Sequence, residues 1–93
     1  MTDIVEKTER YETLLAEALD AATVAAPDGS PLADAAHDCV EMARSYLVDG
    51  QHFREEEDLV NALAAFSYGH AGLDAGARIG VLEVPQEGHL FTV

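Results

Sequence analysis

Residues 61–80, NALAAFSYGHAGLDAGARIG, decide the fold because they read as one alanine-rich helix. At about 100° per residue, the larger apolar side chains and one histidine fall on a single face. No proline interrupts the pattern between positions 59 and 81. The stretch therefore predicts a helix over residues 58–82, and its packing face comprises Leu59, Leu63, Phe66, His70, Leu73 and Ala77.

Beside that face runs a ridge of small residues: Ala62, Ala65, Gly69, Gly72, Gly76 and Gly80. A glycine inside a helix costs about 1 kcal/mol relative to alanine, so a close contact should compensate for the ridge. The neighbour is either helix one or the returning tail of the same chain, or it is a second subunit.

Tyr68 lies on the opposite side of this helix from Phe66, with Ala64, Ala75 and Ile79 nearby. A helix that is apolar on two sides is either central in an assembly or offers a docking surface. We therefore expect Tyr68 and Ile79 to contact a partner, or else to lie beneath the C-terminal tail.

Residues 3–25 have the pattern of a first amphipathic helix, which Thr2 or Asp3 can cap. The segment APDGSP, residues 26–31, then ends it, and Ser30 followed by Pro31 is typical of the start of the next helix. The predicted packing stripe of helix one comprises Ile4, Thr8, Tyr11, Leu15, Ala18 and Ala22.

Helix two is predicted over residues 32–55, although the turn-like pair at 49–50 offers an earlier end. Continuation is favoured because its apolar stripe reaches Phe53 without a change of phase, and burial of a phenylalanine, about 1.5–3 kcal/mol, offsets a helical Gly50. The turn then falls at residues 55–58, with Asp58 capping helix three. The predicted stripe comprises Leu32, Ala35, Cys39, Ala43, Tyr46, Gly50 and Phe53.

These elements predict an all-α fold, an up-down-up three-helix bundle formed by residues 1–82. Residues 83–93 form a short C-terminal extension. Its apolar Leu90, Phe91 and Val93 predict an extended tail docked on the bundle or on a partner.

The composition is strongly acidic: 18 Asp and Glu against 5 Lys and Arg give a net charge of −13 over 93 residues. The combination of carboxylates, arginine and alanine is typical of a halophilic protein. The charge excludes phosphate binding by clustered basic residues, so we expect neither a nucleic-acid nor a membrane partner. The start lacks the pattern of a signal peptide and Cys39 has no disulfide partner, so we expect a cytoplasmic location.

Ser67, His70 and Asp74 share one side of helix three, which suggests a catalytic triad. A serine nucleophile needs free backbone N–H groups as an oxyanion hole, whereas those of a continuous helix already bond to carbonyls. We therefore interpret these residues as a structural cluster and predict that the protein is not an enzyme.

The same residues supply too few ligands for a metal. His70 and Asp74 make two, whereas a closed zinc site needs about four that converge. A second set on helix two, formed by His37, Glu41 and Asp34, faces solvent on the helical wheel. We predict no metal and no cofactor, and keep Ser67, His70 and Asp74 as an alternative ligand-binding site.

The chain from Tyr46 onward, SYLVDGQHF followed by DLVNALAAFSYGHAGLDAGARIG, resembles the family called domain of unknown function 357. The resemblance implies a three-helix bundle and an archaeal source, and it implies no activity. The matching positions are Tyr46, Asp49, Phe53, Asp58, Ala62, Tyr68, His70, Leu73, Asp74, Gly76, Arg78 and Gly80.

The predicted function is a non-enzymatic protein–protein interaction module that binds a protein partner or self-associates, with a homodimer as one form. Helix three supplies the working surface. The alternative is a small-ligand or metal-binding protein centred on His70 and Asp74. The residues assigned to partner contact or close helix packing are Tyr68, Gly69, Gly72, Gly76, Ile79 and Gly80.

Overall fold

A computed structural model describes residues 3–91. Three helices, α1 (Ile4–Ala21), α2 (Pro31–Glu55) and α3 (Leu59–Arg78), pack against one another. Two short strands, β1 (Thr23–Val24) and β2 (Leu82–Glu83), form an antiparallel pair. The predicted all-α three-helix bundle is confirmed.

Each helix begins at a side-chain cap. Asp3 accepts hydrogen bonds from the backbone N–H groups of Val5 and Glu6, at 2.9 and 3.5 Å. Ser30 Oγ accepts from Ala33 N at 3.1 Å, and Asp58 Oδ1 accepts from Asn61 N at 3.3 Å. The sequence predicts the caps at Ser30 and Asp58; Thr2, the other candidate for helix one, lies outside the described residues.

Helix α2 continues through Gly50, as its apolar stripe predicts. Gly50 is buried, and a Cβ added to it would lie 2.6 Å from Cδ1 of Phe66. Phe66 is fully buried, so its ring occupies the space that a side chain at position 50 would need. Gly50 lowers the intrinsic stability of the helix, but it makes room for burial of the Phe66 ring, which is favourable.

The first two residues of the predicted stripe of α2 are wrong. Leu32 is 59% exposed and Ala35 is exposed, whereas Ala33 and Ala36 are buried. Alanine and glycine on the inner side bring α2 close to its neighbours, and the larger Leu32 remains at the rim. The inner positions 33, 36, 40, 43, 47 and 50, which are buried or half-buried, alternate steps of three and four, as in the seam of a coiled coil.

Helix α3 ends four residues before the predicted position 82, because Gly80 adopts a left-handed conformation with φ +87°. The N–H of Gly80 donates to the Ala77 carbonyl at 3.1 Å, and the N–H of Val81 donates to the Gly76 carbonyl at 3.0 Å. These two bonds form a Schellman motif. The turn places Val81 and Leu82 in the core, where they are 4% and 3% exposed.

Helix α1 also ends early, at Ala21 rather than at residue 25, because the chain becomes extended to pair with β2. Thr23 lies opposite Glu83 and Val24 opposite Leu82, and Ala25 N–H donates to the Val81 carbonyl at 2.9 Å. Sequence periodicity carries no information on this pairing, since its two partners are 60 residues apart.

The described part of the tail packs on the bundle. His70 Nε2 donates to the carbonyl of Leu90, and the rings of His70 and Phe91 are stacked with centroids 6.0 Å apart. Phe91 is only 8% exposed. Val93, also expected to dock, lies outside the described residues.

Arg54 links the first two helices. Its guanidinium pairs with Glu12 and with Glu9, the latter at 3.4 Å, and Gln51 Nε2 donates to Glu12 at 3.1 Å. The three helices enclose a common core, and its largest fully buried side chains are Phe66, Leu15, Leu73 and Thr8.

Candidate interaction surface on the third helix

The solvent side of α3 is mostly apolar, with Asn61 near its start and Arg78 at its end as exposed polar residues. We call its apolar part the outer face, and its members are Val60, Ala64, Tyr68, Ala71, Ala75 and Ile79. All six are exposed: Val60 and Ile79 each expose 73% of their surface, and Tyr68 exposes 66%. Large apolar residues aligned on one exposed face are typical of a surface that another molecule covers.

Carboxylates are rare in α3. Helix α1 contains five carboxylates, at positions 6, 9, 12, 17 and 20, and α2 contains five, at positions 34, 38, 41, 49 and 55. Within α3, Asp74 is the only carboxylate and Arg78 the only arginine or lysine. Asp74 is half-buried and Arg78 is exposed beside the C-terminal end of the outer face, so this face lacks carboxylates in a chain of net charge −13.

A shallow groove of about 250 Å³ lies beside the outer face, between α2 and α3. Tyr68 and Tyr46 meet edge to face at one side of it, with ring centroids 4.9 Å apart. Met42, 54% exposed, adds a flexible apolar side chain. Its lining residues are Asp38, Cys39, Met42, Ala43, Tyr46, Tyr68, Gly69 and Gly72.

The glycines of the small-residue ridge have different surroundings. A Cβ on Gly69 would lie 2.9 Å from Leu15 of α1 and 3.0 Å from Tyr46 of α2, and one on Gly76 would lie 2.7 Å from Leu82. Their close neighbours are therefore segments of the same chain. A Cβ on Gly72 would meet nothing within 4 Å, so this glycine leaves the groove open.

Ile79 and Gly80 follow the last helical residue, Arg78, and form the turn at the end of α3. Gly80 supplies the left-handed turn described above, and a Cβ on it would also meet nothing within 4 Å. Ile79 is the last member of the outer face. Tyr68 and Ile79 stay largely exposed in the presence of the tail through Phe91, so the tail residues that the structure describes do not cover them.

The alternative site residues lie away from the groove. Ser67, His70 and Asp74 are half-buried, and the His70 ring is engaged by Leu90 and Phe91 of the tail. A ligand at His70 would therefore compete with the chain's own C-terminal segment. This arrangement makes His70 a contact point for the tail.

Within residues 3–91, no group of three or more His, Cys, Asp and Glu side chains is placed to hold a metal ion. The helix-two set of His37, Glu41 and Asp34 lies on exposed positions of α2. Two other histidines approach a single carboxylate each: His52 lies 3.0 Å from Glu56, and His89 lies 3.9 Å from Glu17.

Sequence reasoning misses the α2 side of the groove. The predicted buried stripe of α2 includes Tyr46, whereas this residue is half-buried against Tyr68, and the stripe gives Met42 no role. The available signal is Met42 itself, a large apolar residue off the predicted stripe. Ala71, at the centre of the outer face, is also missed because alanine is common on solvated helix surfaces.

In the part of the chain that the structure describes, no helix is both long and apolar enough to cross a membrane. No curated protein and no solved structure matches the chain. A family model matches residues 10–82, which include all three helices apart from the first turns of α1. The chain therefore belongs to the family described as protein of unknown function (DUF357).

Proposed function

We propose that this chain is a non-enzymatic protein-interaction module and that the outer face of α3 is its binding surface. The observation that carries the proposal is the exposure of Val60, Tyr68 and Ile79 on a face without carboxylates, in a chain of net charge −13. Surface carboxylates help to keep an acidic protein soluble, and α1 and α2 each carry five. Their exclusion from this face favours contact with another macromolecule.

The energetics of the face support binding. Full burial of a valine, isoleucine or similar side chain contributes about 1.5–3 kcal/mol. Covering the outer face removes such side chains from water without stripping water from a carboxylate, which would cost several kcal/mol. The groove beside Tyr68 adds Met42, whose flexible side chain adapts to a partner.

Oxidative footprinting tests the surface whatever protein covers it. We expect Tyr68 and Met42 to be oxidised quickly in the dilute purified chain and to be protected when tagged chain is added to an extract of its source organism at high salt. Ala71→Glu places a charge at the centre of the face and should abolish the protection.

Val48→Glu is the matched control, because Val48 is 59% exposed on α2 and lies outside the groove lining. It adds the same charge and should leave the protection intact. Equal oxidation of Tyr68 in extract and in buffer, for all three chains, would contradict the proposal.

The second candidate, a small-ligand or metal-binding protein centred on His70 and Asp74, would need the tail to move. The contact of His70 with the Leu90 carbonyl favours the interaction module over it. Native mass spectrometry separates the two: an added mass that disappears in His70→Ala would support ligand binding. We further propose that the chain performs no catalysis, since a helical backbone offers no free donors near Ser67.

The acidic composition leads us to propose a cytoplasmic protein of a halophilic archaeon. At molar salt the Debye length falls to about 3 Å, so repulsion among the carboxylates of α1 and α2 is screened. We expect the melting temperature, followed by helical circular dichroism, to rise from low to molar KCl. An unchanged melting temperature would contradict salt adaptation and would leave the outer face unaffected as a binding surface.

A further inference from the structure

We propose that the partner on the outer face is a second copy of this chain, packed with the two α3 helices antiparallel. This inference rests on the proposed function and names the occupant of the same surface. Three features of the outer face support it: the order of its residues, the groove beside its centre and the distribution of charge around it.

The order of side-chain sizes along the face is nearly the same from either end. In a twofold interface residue i of one copy contacts residue j of the other and j contacts i, so an antiparallel pair of α3 helices brings each position of the face against its counterpart counted from the other end. An axis between positions 69 and 70 pairs Val60 with Ile79, Ala64 with Ala75 and Tyr68 with Ala71. The pairs thus join β-branched residues at the ends, alanines inside them, and a large residue with a small one at the centre.

The centre of the face offers a complementary space for the tyrosine. Ala71 is followed by Gly72, where an added Cβ would meet nothing within 4 Å, and Gly72 lines the apolar groove. In the antiparallel pair, Tyr68 of each copy lies opposite Ala71 of the other, at the edge of that groove. The ring of one copy would enter the groove of the other against Met42, as alternating large and small residues do at packed interfaces.

Charge favours this face over the rest of the surface for contact between copies. Two chains of net charge −13 repel each other, and contact through α1 or α2 would bring carboxylates of both copies together. The outer face carries none, so it is where two copies can meet without facing carboxylates. A basic partner would be attracted to the acidic faces instead.

Sedimentation equilibrium of the full chain in molar KCl tests for the second copy. We expect a concentration-dependent dimer for the unmodified chain. Ala71→Glu brings two carboxylates together near the axis, so the apparent Kd should rise by more than about tenfold, whereas Val48→Glu should leave it unchanged. Circular dichroism of both variants checks that the helices are intact.

Disulfide trapping tests the direction of the helices, in a Cys39→Ala background that removes the native thiol. Ala64→Cys and Ala75→Cys chains should cross-link when mixed, and neither should cross-link to itself. In the antiparallel pair, identical positions lie about 16 Å apart along the axis, beyond the reach of a disulfide. Self-cross-linking of either variant alone would overturn the antiparallel arrangement.

A chain that stays monomeric at every concentration and salt would overturn the second copy as partner. That result is distinguishable from failure of the proposed function. If Tyr68 of a monomeric chain is still protected in extract, and Ala71→Glu removes the protection, the face binds a different protein. If Tyr68 is also unprotected, the interaction surface itself is wrong.

Discussion

The inner face of α3 carries Phe66 and Leu73, which are fully buried, whereas the outer face carries Tyr68 and Ile79, which are 66% and 73% exposed. Both faces are apolar and both contain small residues, so residue type alone does not distinguish them. The two faces differ in what packs on them: α1, α2 and the segment after α3 cover the inner face, whereas the outer face is exposed to solvent. A helix that is apolar on two faces is normally covered on both, and the single chain covers only one face of α3.

The largest effect that separates the faces is loss of an aromatic ring. Phe66→Ala should lower the free energy of unfolding by about 3–5 kcal/mol, because it empties a fully buried site. Tyr68→Ala should lower it by about 1 kcal/mol or less, since the ring contacts mainly Tyr46. Urea unfolding at dilutions where the chain is monomeric gives both values.

If Phe66→Ala does not fold, Phe66→Leu provides the comparison, with a smaller loss that still exceeds that of Tyr68→Ala. Equal losses for the two positions would show that the outer face is packed within the monomer.

The next test uses glycine. Gly50→Ala should destabilise the chain by up to about 2 kcal/mol, because overpacking against Phe66 costs about 1–3 kcal/mol and alanine's helix propensity returns about 1 kcal/mol. Thermal unfolding measures the change. Combining Gly50→Ala with Phe66→Leu should recover part of the loss, and simple additivity of the two losses would refute the steric explanation.

A third prediction concerns the surface that the tail covers. His70→Ala should cost about 1 kcal/mol, because it removes the hydrogen bond to Leu90 and the stacking against Phe91. Hydrogen exchange should accelerate at the backbone amides of residues 90 and 91, with little change in α2. His70→Gln, which retains a donor, should lose less protection, and identical exchange in all three chains would contradict the role given to His70.

The smallest expected effect has the opposite sign. Gly72→Ala should raise the stability by about 0.5–1 kcal/mol, because alanine favours the helix and its methyl group meets nothing within 4 Å. The same glycine-to-alanine change is therefore expected to lower stability at position 50, where the added methyl group meets Phe66, and to raise it at position 72, where the space is open. A lower melting temperature for Gly72→Ala in the monomer would show that position 72 is packed.

The three helices and two of their caps are predictable because they depend on local chemistry: Ser30 before Pro31, Asp58 before Leu59, and a periodic apolar stripe through Gly50. The end of α2 at Glu55 is also as predicted, whereas the ends of α1 and α3 are not. The apolar pattern of α3 continues past Gly80 to Leu82, and four glycines occur in the stretch, so periodicity does not show which one ends the helix; burial of Val81 and Leu82 favours the turn at Gly80.

For the candidate surface, the second apolar face of α3 follows from periodicity, including Tyr68 and Ile79. The groove does not, because it depends on how α2 lies relative to α3. The seam of α2 is displaced by one residue at its start for a related reason: Ala33, Ala35 and Ala36 have equal hydrophobicity, so only the neighbours decide which is buried.

The strand pair of β1 and β2 also has a consequence for the order of folding. Helices α2 and α3 are adjacent in sequence and joined by a short turn, so their contacts close a small loop, whereas the pairing of Thr23 with Glu83 closes one of 60 residues. Two-residue strands are not stable alone, and the entropy of closing a long loop must be repaid by packing already in place. We therefore expect the α2–α3 hairpin to form first and the docking of α1, sealed by β1 and β2, to be the late step of folding.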